Sequence, residues 1–158
     1  MNYRIAGKND IVELIKLKLA FLNELTNNEN IPNQHTVASE LEKYLNTHLE
    51  GNDFINWLAV DEEKIIATGD ICFHQYPPGY EDITGKRGYI LNVYTLPAYR
   101  RKGLAIEIVK RLVKEAEDRD IRLVVLRTTK IAQSIYEKFG FKIKDNVMTF
   151  GLGKDRLI

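Results

Sequence analysis

Residues 89–105 read YILNVYTLPAYRRKGLA, and this stretch decides the fold. A strand-like segment, residues 89–96, leads through a cationic turn into an amphipathic helix that the pattern extends from Gly103 to about Arg119. The first N–H groups of a helix lack acceptors within the helix, and the helix dipole favours negative charge there. Because Gly103 has no Cβ, a phosphate could approach the backbone closely. The turn is therefore a predicted anion site, and its cationic residues are Arg100, Arg101 and Lys102.

The composition is that of an ordinary globular domain. The chain has 158 residues, of which 44% are hydrophobic and 28% charged, and its net charge is +1. A charge this small gives no overall field that would favour nucleic acid or an anionic membrane as a partner. The single cysteine, Cys72, excludes an intrachain disulfide, and no apolar stretch is long enough to span a bilayer. We therefore expect a cytoplasmic protein, with Cys72 a core residue of the sheet.

The hydrophobic periodicity predicts an element order of β-α-α-β-β-β-α-β-α-β-β. Strands are predicted at residues 2–6, 54–60, 65–74, 89–96 and 122–127, with a hairpin over 141–152, and helices at residues 10–25, 36–49, 103–119 and 131–139. Asp10 and Glu13 have the spacing of a capping pair at the start of the first helix. Two parallel strands joined by a helix are expected over residues 89–127. The sequence thus predicts one α/β domain of the mixed α+β kind, spanning residues 1–158.

Other phosphate and metal motifs do not fit the sequence. The dinucleotide fingerprint Gly-x-Gly-x-x-Gly is absent. Residues 79–87 approach a Walker loop, but the spacing is one residue too long, Arg87 replaces the hydroxyl residue, and a strand follows. The three histidines are scattered and no cysteine pair exists, so no metal site is predicted.

Two blocks resemble the GNAT superfamily of N-acetyltransferases. The first is Arg100-x-x-Gly103-x-Ala105, which is similar to the family's pyrophosphate loop between a strand and a helix. The second, residues 129–141, reads TKIAQSIYEKFGF and is similar to the family's later Tyr-Glu-Lys-x-Gly-Phe segment. The resemblance covers about residues 89–150. It implies a mixed, mostly antiparallel central sheet with a V-shaped splay, flanked by four helices, and acetyl-CoA as the acetyl donor.

The resemblance also implies roles for individual residues. The coenzyme A pyrophosphate would bind the backbone of the turn and helix start, namely Arg100, Arg101, Lys102, Gly103, Leu104, Ala105 and Ile106. The pantetheine arm would bind the bulged strand at Val93, Tyr94 and Thr95, where an N–H near Val93 would polarise the thioester carbonyl. Thr129 matches a polar contact to the cofactor. Tyr136 matches the phenol near the thioester sulfur, so it would act as the general acid or would only pack against the cofactor.

The general base is not evident from the sequence. Asp70 and His74 have the same parity on their strand and face the same side. Either could remove a proton through water, although a structurally satisfied polar pair is the favoured interpretation. Asn92 could orient water or the acceptor but cannot be a base. Phe21 and Tyr76 lie in regions that form the acceptor site in the family, so they complete the predicted substrate residues.

These observations predict an acetyl-CoA-dependent N-acetyltransferase that acts on a primary amine of a small molecule or peptide. The amine would attack directly in a ternary complex. A non-catalytic acyl-CoA-binding sensor or interaction module of the same fold is the alternative, and transfer of a longer acyl group is a third. Homodimers are common in the family, but no feature of the sequence shows an interface.

Overall fold

The computed structural model describes residues 1–27, 33–80 and 82–144. Its contacts divide the chain into two compact units, Met1–Arg127 and Thr128–Ile158. The strands are β1 (Asn2–Ile5), β2 (Phe54–Asp61), β3 (Lys64–Gln75), β4 (Lys86–Thr95) and β5 (Leu123–Leu126). The α-helices are α1 (Ile11–Leu25), α2 (Gln34–His48), α3 (Leu104–Glu117) and α4 (Lys130–Phe139). The first unit holds everything up to β5, and the second begins just before α4.

The five strands form one sheet in the order β1-β2-β3-β4-β5. The first three pairings are antiparallel, and β4 and β5 are parallel. This confirms the predicted mixed, mostly antiparallel sheet and the parallel pair joined through a helix. The predicted hairpin over residues 141–152 falls mostly outside the described residues, which end at residue 144.

The boundaries of the described elements agree with the predictions to within three residues, and the start of β4 differs most. This strand begins at Lys86, three residues before the predicted start at Tyr89. The far end of β3 pairs with this extension, with Gln75 opposite Lys86 and Phe73 opposite Gly88. Pairing with a neighbouring strand therefore outweighs the polar character of residues 86–88.

The predicted capping pair of Asp10 and Glu13 is wrong. Asp10 precedes α1 but makes no side-chain capping bond to it. Its carboxylate instead accepts two hydrogen bonds from the Arg4 guanidinium, both 2.7 Å, and one from the Gly7 N–H at 2.8 Å. A bidentate arginine is a stronger partner for a carboxylate than a backbone amide. Glu13 pairs with Lys16 on the helix surface.

The sheet has helices on both faces. Leu14 and Leu17 of α1 and Leu45 of α2 form one buried cluster with Phe54 and Leu58 of β2. On α3, the apolar stripe that includes Ile108 is fully buried. A Cβ built on Gly69 of β3 would lie 2.6 Å from Ile108, so this face of the strand is turned toward α3. Since neighbouring residues in a strand point to opposite faces, α1 and α2 cover the other side.

The middle of β4 contains a bulge. Asp70 of β3 is opposite Leu91 and Thr68 is opposite Tyr94, so two residues of β4 stand opposite Gly69 alone. Those two residues are Asn92 and Val93. Asn92 has φ +52, a left-handed conformation that asparagine tolerates better than most residues. The bulge re-aims the side chains of β4 at the point where β5 ends.

Candidate active site

The pairing between β4 and β5 stops just before the bulge. The parallel pairing of β4 with β5 covers Arg87 to Ile90 and stops opposite Leu126, whereas β4 continues to Thr95. The last five residues of β4 therefore have no partner on β5. This is the bulged and splayed arrangement that the resemblance implied. Within the described residues, the Thr95 hydroxyl is buried without a hydrogen-bond partner. The splay thus offers strand backbone and one unsatisfied polar atom to a ligand.

The start of α3 is open and uncapped. Gly103 occupies the N-cap position with φ +79, and no side chain caps the helix. A Cβ built on Gly103 would meet no atom within 4 Å, so there is room for a bulky group against the backbone. Arg101 also has positive φ, +64, which costs an L-residue about 1 kcal/mol. The turn accordingly presents the first N–H groups of a 14-residue helix to an anion.

The three cationic residues of the turn differ in their surroundings. Arg101 and Lys102 are exposed, and neither forms an ion pair with any described residue. The Arg100 guanidinium is paired instead: it donates to Glu24 Oε2 at 2.6 Å and to the Thr95 carbonyl at 3.0 Å. Arg101 and Lys102 therefore have no ion-pair partner among the described residues, and the Lys102 ammonium lies 5.1 Å from the centre of the Tyr99 ring.

Tyr94 and Glu24 tie the end of α1 to the same strand. The Tyr94 hydroxyl donates to Glu24 Oε1 at 2.6 Å, and the Arg100 guanidinium lies 5.6 Å from the Tyr94 ring. Burial, together with the bond to the Glu24 carboxylate, raises the pKa of Tyr94 to about 12. Tyr94 therefore remains a neutral hydrogen-bond donor at physiological pH, and its ring is part of the buried core.

A small cavity lies between α1, α2 and the bulged strands. Its apolar wall comes from leucines of the two helices, Leu14, Leu17, Leu41 and Leu45. Its polar floor is made by Lys18, Asn56, Thr68, Asp70 and Asn92. The volume is about 20 Å³, which is enough for one water-sized group.

Asp70 is the centre of the polar floor. It is 6% exposed, and its two carboxylate oxygens accept hydrogen bonds from different amides, Asn56 on one oxygen and Asn92 on the other. Burial raises the pKa of Asp70 to about 6, although both amides and the nearby Lys18 ammonium favour the ionised form. The Thr68 hydroxyl donates to Asn56 Oδ1 at 3.0 Å and completes the network on that side.

Lys18 closes the network on the α1 side. Its ammonium donates to Asn92 Oδ1 and lies 5.4 Å from the centre of the Phe21 ring. Burial lowers the pKa of Lys18, and the Asp70 carboxylate opposes that shift. Phe21 is half-buried, with its ring 5.8 Å from that of Tyr94. Lys18, Asp70 and Tyr94 thus line the cavity together, and the Phe21 ring packs beside Lys18 and Tyr94.

The structure brings together three of the four predicted substrate residues. Asp70 and Asn92 are hydrogen-bonded, and Phe21 is linked to them through Lys18. Tyr76 is not part of this group: it is 43% exposed, does not line the cavity and stacks against Arg87 at 4.8 Å. Tyr76 follows the end of β3, where tertiary contacts rather than the neighbouring sequence decide the position of a side chain. His74 likewise does not line the cavity.

Three polar residues of the floor were missed by sequence reasoning. Lys18 follows Leu14 by four residues, so it lies on the buried stripe of α1. Asn56 alternates with Phe54 and Leu58 on β2, where every second side chain is buried on the same side. Thr68, the third residue, carries no comparable signal. A lysine and an asparagine at core positions of apolar patterns are the signal that could have found the first two.

Cys72 is confirmed as a buried sheet residue. It is 6% exposed, and its sulfur lies 3.6 Å from the Tyr44 hydroxyl of α2. Burial raises the pKa of the Cys72 thiol. The thiol is therefore protonated and inert at neutral pH.

The second unit contains Thr129 and Tyr136. The Thr129 hydroxyl oxygen accepts from the Ala132 N–H at 3.3 Å and so caps α4. The Tyr136 ring is half-buried and lies 6.0 Å from that of Phe141, in an edge-to-face arrangement. Burial raises the pKa of Tyr136, which keeps its phenol protonated. Gly140, with φ +117, ends the helix.

The described residues contain neither a metal site nor a membrane helix. No group of three or more histidine, cysteine, aspartate or glutamate side chains is placed to hold a metal ion in this part of the chain. No helix among the described residues is long and apolar enough to cross a membrane.

Comparison with known proteins establishes the family. The model of the acetyltransferase (GNAT) family matches residues 19–141, so the chain belongs to the GNAT family of acetyltransferases. A predicted acetyltransferase from Clostridium acetobutylicum, solved with acetyl-CoA, is 35% identical, with 95% of each chain covered and a TM-score of 0.85. A search among curated proteins gives no match.

More distant structures share the fold. A GCN5-related N-acetyltransferase from Ralstonia eutropha JMP134 is 21% identical, with 94% of this chain and 96% of that chain covered and a TM-score of 0.84. Glucosamine-6-phosphate N-acetyltransferase from Arabidopsis thaliana is also 21% identical, with 96% and 98% covered and a TM-score of 0.74. The fold prediction is thereby confirmed, splay and four helices included.

Proposed function

We propose that this protein transfers an acetyl group from acetyl-CoA to a primary amine of a small molecule or peptide, by direct attack in a ternary complex. The observation that carries the proposal is the uncapped, cationic start of α3 beside the splayed end of β4. The Clostridium relative, solved with acetyl-CoA and 35% identical over nearly the whole chain, supports the choice of donor.

The chain's own residues fit the donor at two places. Backbone N–H groups from Arg101 to Ile106 would bind the pyrophosphate, where Gly103 leaves open space and Arg101 and Lys102 supply positive charge without an ion-pair partner in the described part of the chain. Strand residues 93–95 would bind the pantetheine arm, and the buried Thr95 hydroxyl there has no hydrogen-bond partner among the described residues. Arg100 would contribute its backbone to the same pyrophosphate site, while its guanidinium remains paired with Glu24. Thr129 would add a polar contact from the second unit.

Acetyl-CoA supplies an activated thioester, and two groups of the chain would act on it. An N–H near Val93 would donate to the thioester carbonyl oxygen and stabilise the charge that develops there. The Tyr136 phenol, kept protonated by burial, would donate a proton to the departing thiolate.

The first experiment measures donor binding and turnover together. Acetyl-CoA at about 100 times its Kd should raise the melting temperature by roughly 5–10 °C, because it binds only the folded state. Release of the CoA thiol is then followed over a panel of primary amines. A thermal shift without thiol release for any amine would point to an acyl-CoA-binding module instead. No shift at millimolar acetyl-CoA would contradict the proposal outright.

The open helix start is tested by Gly103→Glu. A carboxylate at this point would repel the pyrophosphate and fill the space beside the backbone, so the acetyl-CoA-dependent thermal shift should disappear. Gly79→Glu controls for the added carboxylate, because a Cβ at Gly79 also meets no described atom within 4 Å but lies in the β3–β4 connection, and the melting temperature of each variant without ligand reports the backbone strain that a side chain adds at Gly103 (φ +79). The control variant should retain the full shift. Equal shifts in both variants would remove Gly103 from the binding site.

The role of Tyr136 is tested by Tyr136→Phe. Loss of a general acid should lower kcat by roughly 10²-fold, while the thermal shift with acetyl-CoA stays within a degree or two of wild type. Unchanged turnover would leave Tyr136 with a packing role only.

A further inference from the structure

The sequence left the general base open, with Asp70 and His74 as candidates, and the polar floor of the cavity favours Asp70. We propose that the Asp70 carboxylate, held by Asn56 and Asn92 beside the bulge of β4, removes the proton from the acceptor's ammonium group. This inference rests on the proposed function, since it assigns the base for the amine that is acetylated.

Geometry gives Asp70 free acceptor capacity. Each carboxylate oxygen receives one amide N–H, from Asn56 or from Asn92, whereas an ionised oxygen can accept two hydrogen bonds. The cavity against it holds one water-sized group, either an amine nitrogen or a bridging water. The two amides thus fix the carboxylate without saturating it.

The position of Asp70 joins the cavity to the donor strand. Its partner across the ladder is Leu91, the residue before the bulge, and Asn92 is bonded to Asp70 itself. Val93, whose N–H is the proposed donor to the thioester carbonyl, is the next residue. An amine bound at Asp70 would therefore lie one or two residues along β4 from the N–H that binds the thioester carbonyl.

The charged surroundings favour release of a neutral amine. The described titratable groups facing Asp70 are Lys18 from α1, Tyr44 from α2 and Cys72 from its own strand, while Tyr94 of β4, a neutral phenol, lines the same cavity. Tyr44 and Cys72 are both neutral because burial raises the pKa of each. Lys18 is the one cation among these three, and it opposes a second ammonium in the cavity. Since burial also brings the pKa of Asp70 to about 6, the carboxyl is a better proton acceptor than an exposed aspartate.

The proposed step balances as follows. The ammonium gives one proton to an oxygen of Asp70 and becomes a neutral amine. The nitrogen lone pair forms the C–N bond with the thioester carbonyl carbon, and the C–S bond breaks. The Tyr136 phenol gives its proton to the departing thiolate, the second proton lost by nitrogen restores the phenol through solvent, and Asp70 returns the first proton to solvent.

The test is the pH profile of kcat/KM for an active amine. For wild type, kcat/KM should be half-maximal near pH 6, level off by about pH 7 and stay level until the amine itself titrates, at about pH 10. In Asp70→Asn the rate should follow the neutral amine alone and rise about tenfold per pH unit up to that point. The loss at pH 7 should be roughly 10²-fold or more and should shrink as the pH rises.

Two further variants separate catalysis from structure. Asp82→Asn is the matched control: Asp82 is also 6% exposed, but Arg87 binds it and it does not line the cavity. Its profile should match wild type. Lys18→Met removes a cation that favours ionised Asp70, so its acid limb should move to higher pH. Asp70→Ala should regain turnover with rising formate, because formate fits the space left by the carboxylate.

The outcomes distinguish the two proposals. A wild-type profile that itself rises tenfold per pH unit, or one that Asp70→Asn leaves unchanged, would overturn the assignment of Asp70 while acetyl transfer stands. An absence of thiol release from wild type with every amine would overturn both. The acetyl-CoA thermal shift of Asp70→Asn should equal that of wild type, which shows that the variant folds and binds the donor.

Discussion

Three aspartates are buried in the described part of the chain, and their partners set them apart. Asp10 is bound by Arg4 and Asp82 by Arg87, and in both the hydrogen bond to the guanidinium is the largest cause of a lowered pKa. Asp70 has only neutral amides as direct partners, so burial dominates and its pKa is raised to about 6. An arginine holds a carboxylate permanently ionised, whereas two amides leave it able to exchange a proton. Asp70 is thus the buried aspartate equipped for proton transfer.

The raised pKa of Asp70 predicts that folding stability depends on pH, and this can be measured without a substrate. The folded-state pKa of Asp70 is raised above its unfolded value, so ionisation costs stability; the cost is absent below about pH 4 and complete above about pH 6. The unfolding free energy of Asp70→Asn minus that of wild type should therefore increase by about 2 kcal/mol from pH 4 to pH 7. Urea unfolding at several pH values measures it.

The stability control is again Asp82→Asn. The pKa of Asp82 is lowered, so the wild-type carboxylate gains stability as the pH rises through its ordinary range. The corresponding difference should move in the opposite direction, in favour of wild type. A flat difference for Asp70→Asn would mean that its carboxyl has an ordinary pKa in the folded protein.

At the scale of elements, the bulge of β4 and helix α3 are fitted to each other through Gly69. A Cβ on Gly69 would lie 2.6 Å from Ile108 Cγ2 and 3.3 Å from both Leu112 and Val93. Because Gly69 has no side chain, α3 can pack closely against β3 at the bulge. The same helix starts at Gly103, so the height of α3 above the sheet also sets where the anion site lies relative to residues 93–95.

Gly69→Ala should push these elements apart. Overpacking of this kind costs about 1–3 kcal/mol, and acetyl-CoA affinity should fall with it because the helix start moves from the strand. Ile108→Leu removes the methyl group on the branched Cβ at constant volume, so the double variant should recover part of both losses. Thermal unfolding and the acetyl-CoA shift measure the two effects.

Gly7→Ala provides the control for that experiment. Nothing lies within 4 Å of a Cβ at Gly7, and its φ of −123° suits alanine. Its stability should be unchanged or higher by up to about 1 kcal/mol. If Gly69→Ala behaves in the same way, the packing of α3 does not depend on that glycine.

At the scale of the whole molecule, local patterns proved predictable and long-range partners did not. The stripe of α3 and the turn before it were predicted because their signals lie within neighbouring residues. The Lys18–Asn92 bond joins residues 74 apart and the Arg100–Glu24 pair residues 76 apart, so both depend on tertiary packing and strand register. Asp70 and Asn92, two of the predicted substrate residues, are hydrogen-bonded to each other, but the amide from Asn56 that holds Asp70 was not foreseen.

The two units predict a difference in hydrogen exchange. Helix α3 has five buried residues, whereas α4 has none, so α4 amides should exchange faster in the free protein. If Thr129 and Tyr136 contact acetyl-CoA as proposed, adding it should slow exchange in α4 as well as at the α3 start. Mass spectrometry of peptides covering residues 104–117 and 130–139 measures both. Protection limited to α3 would argue against a cofactor contact from the second unit.

The burial of Cys72 allows assays that detect free thiols to be used on the unmodified protein. It is the chain's single cysteine, and its raised pKa leaves little thiolate to react with disulfide dyes. A dye that counts free thiols will thus register released CoA against a quiet background, with no cysteine to remove first. The slow labelling that remains has its own use: because the sulfur lies 3.6 Å from the Tyr44 hydroxyl of α2, labelling requires α2 to move or the domain to unfold. Leu41 and Leu45 of α2 also line the cavity, so an acceptor that binds there should slow the labelling even before any turnover is detected.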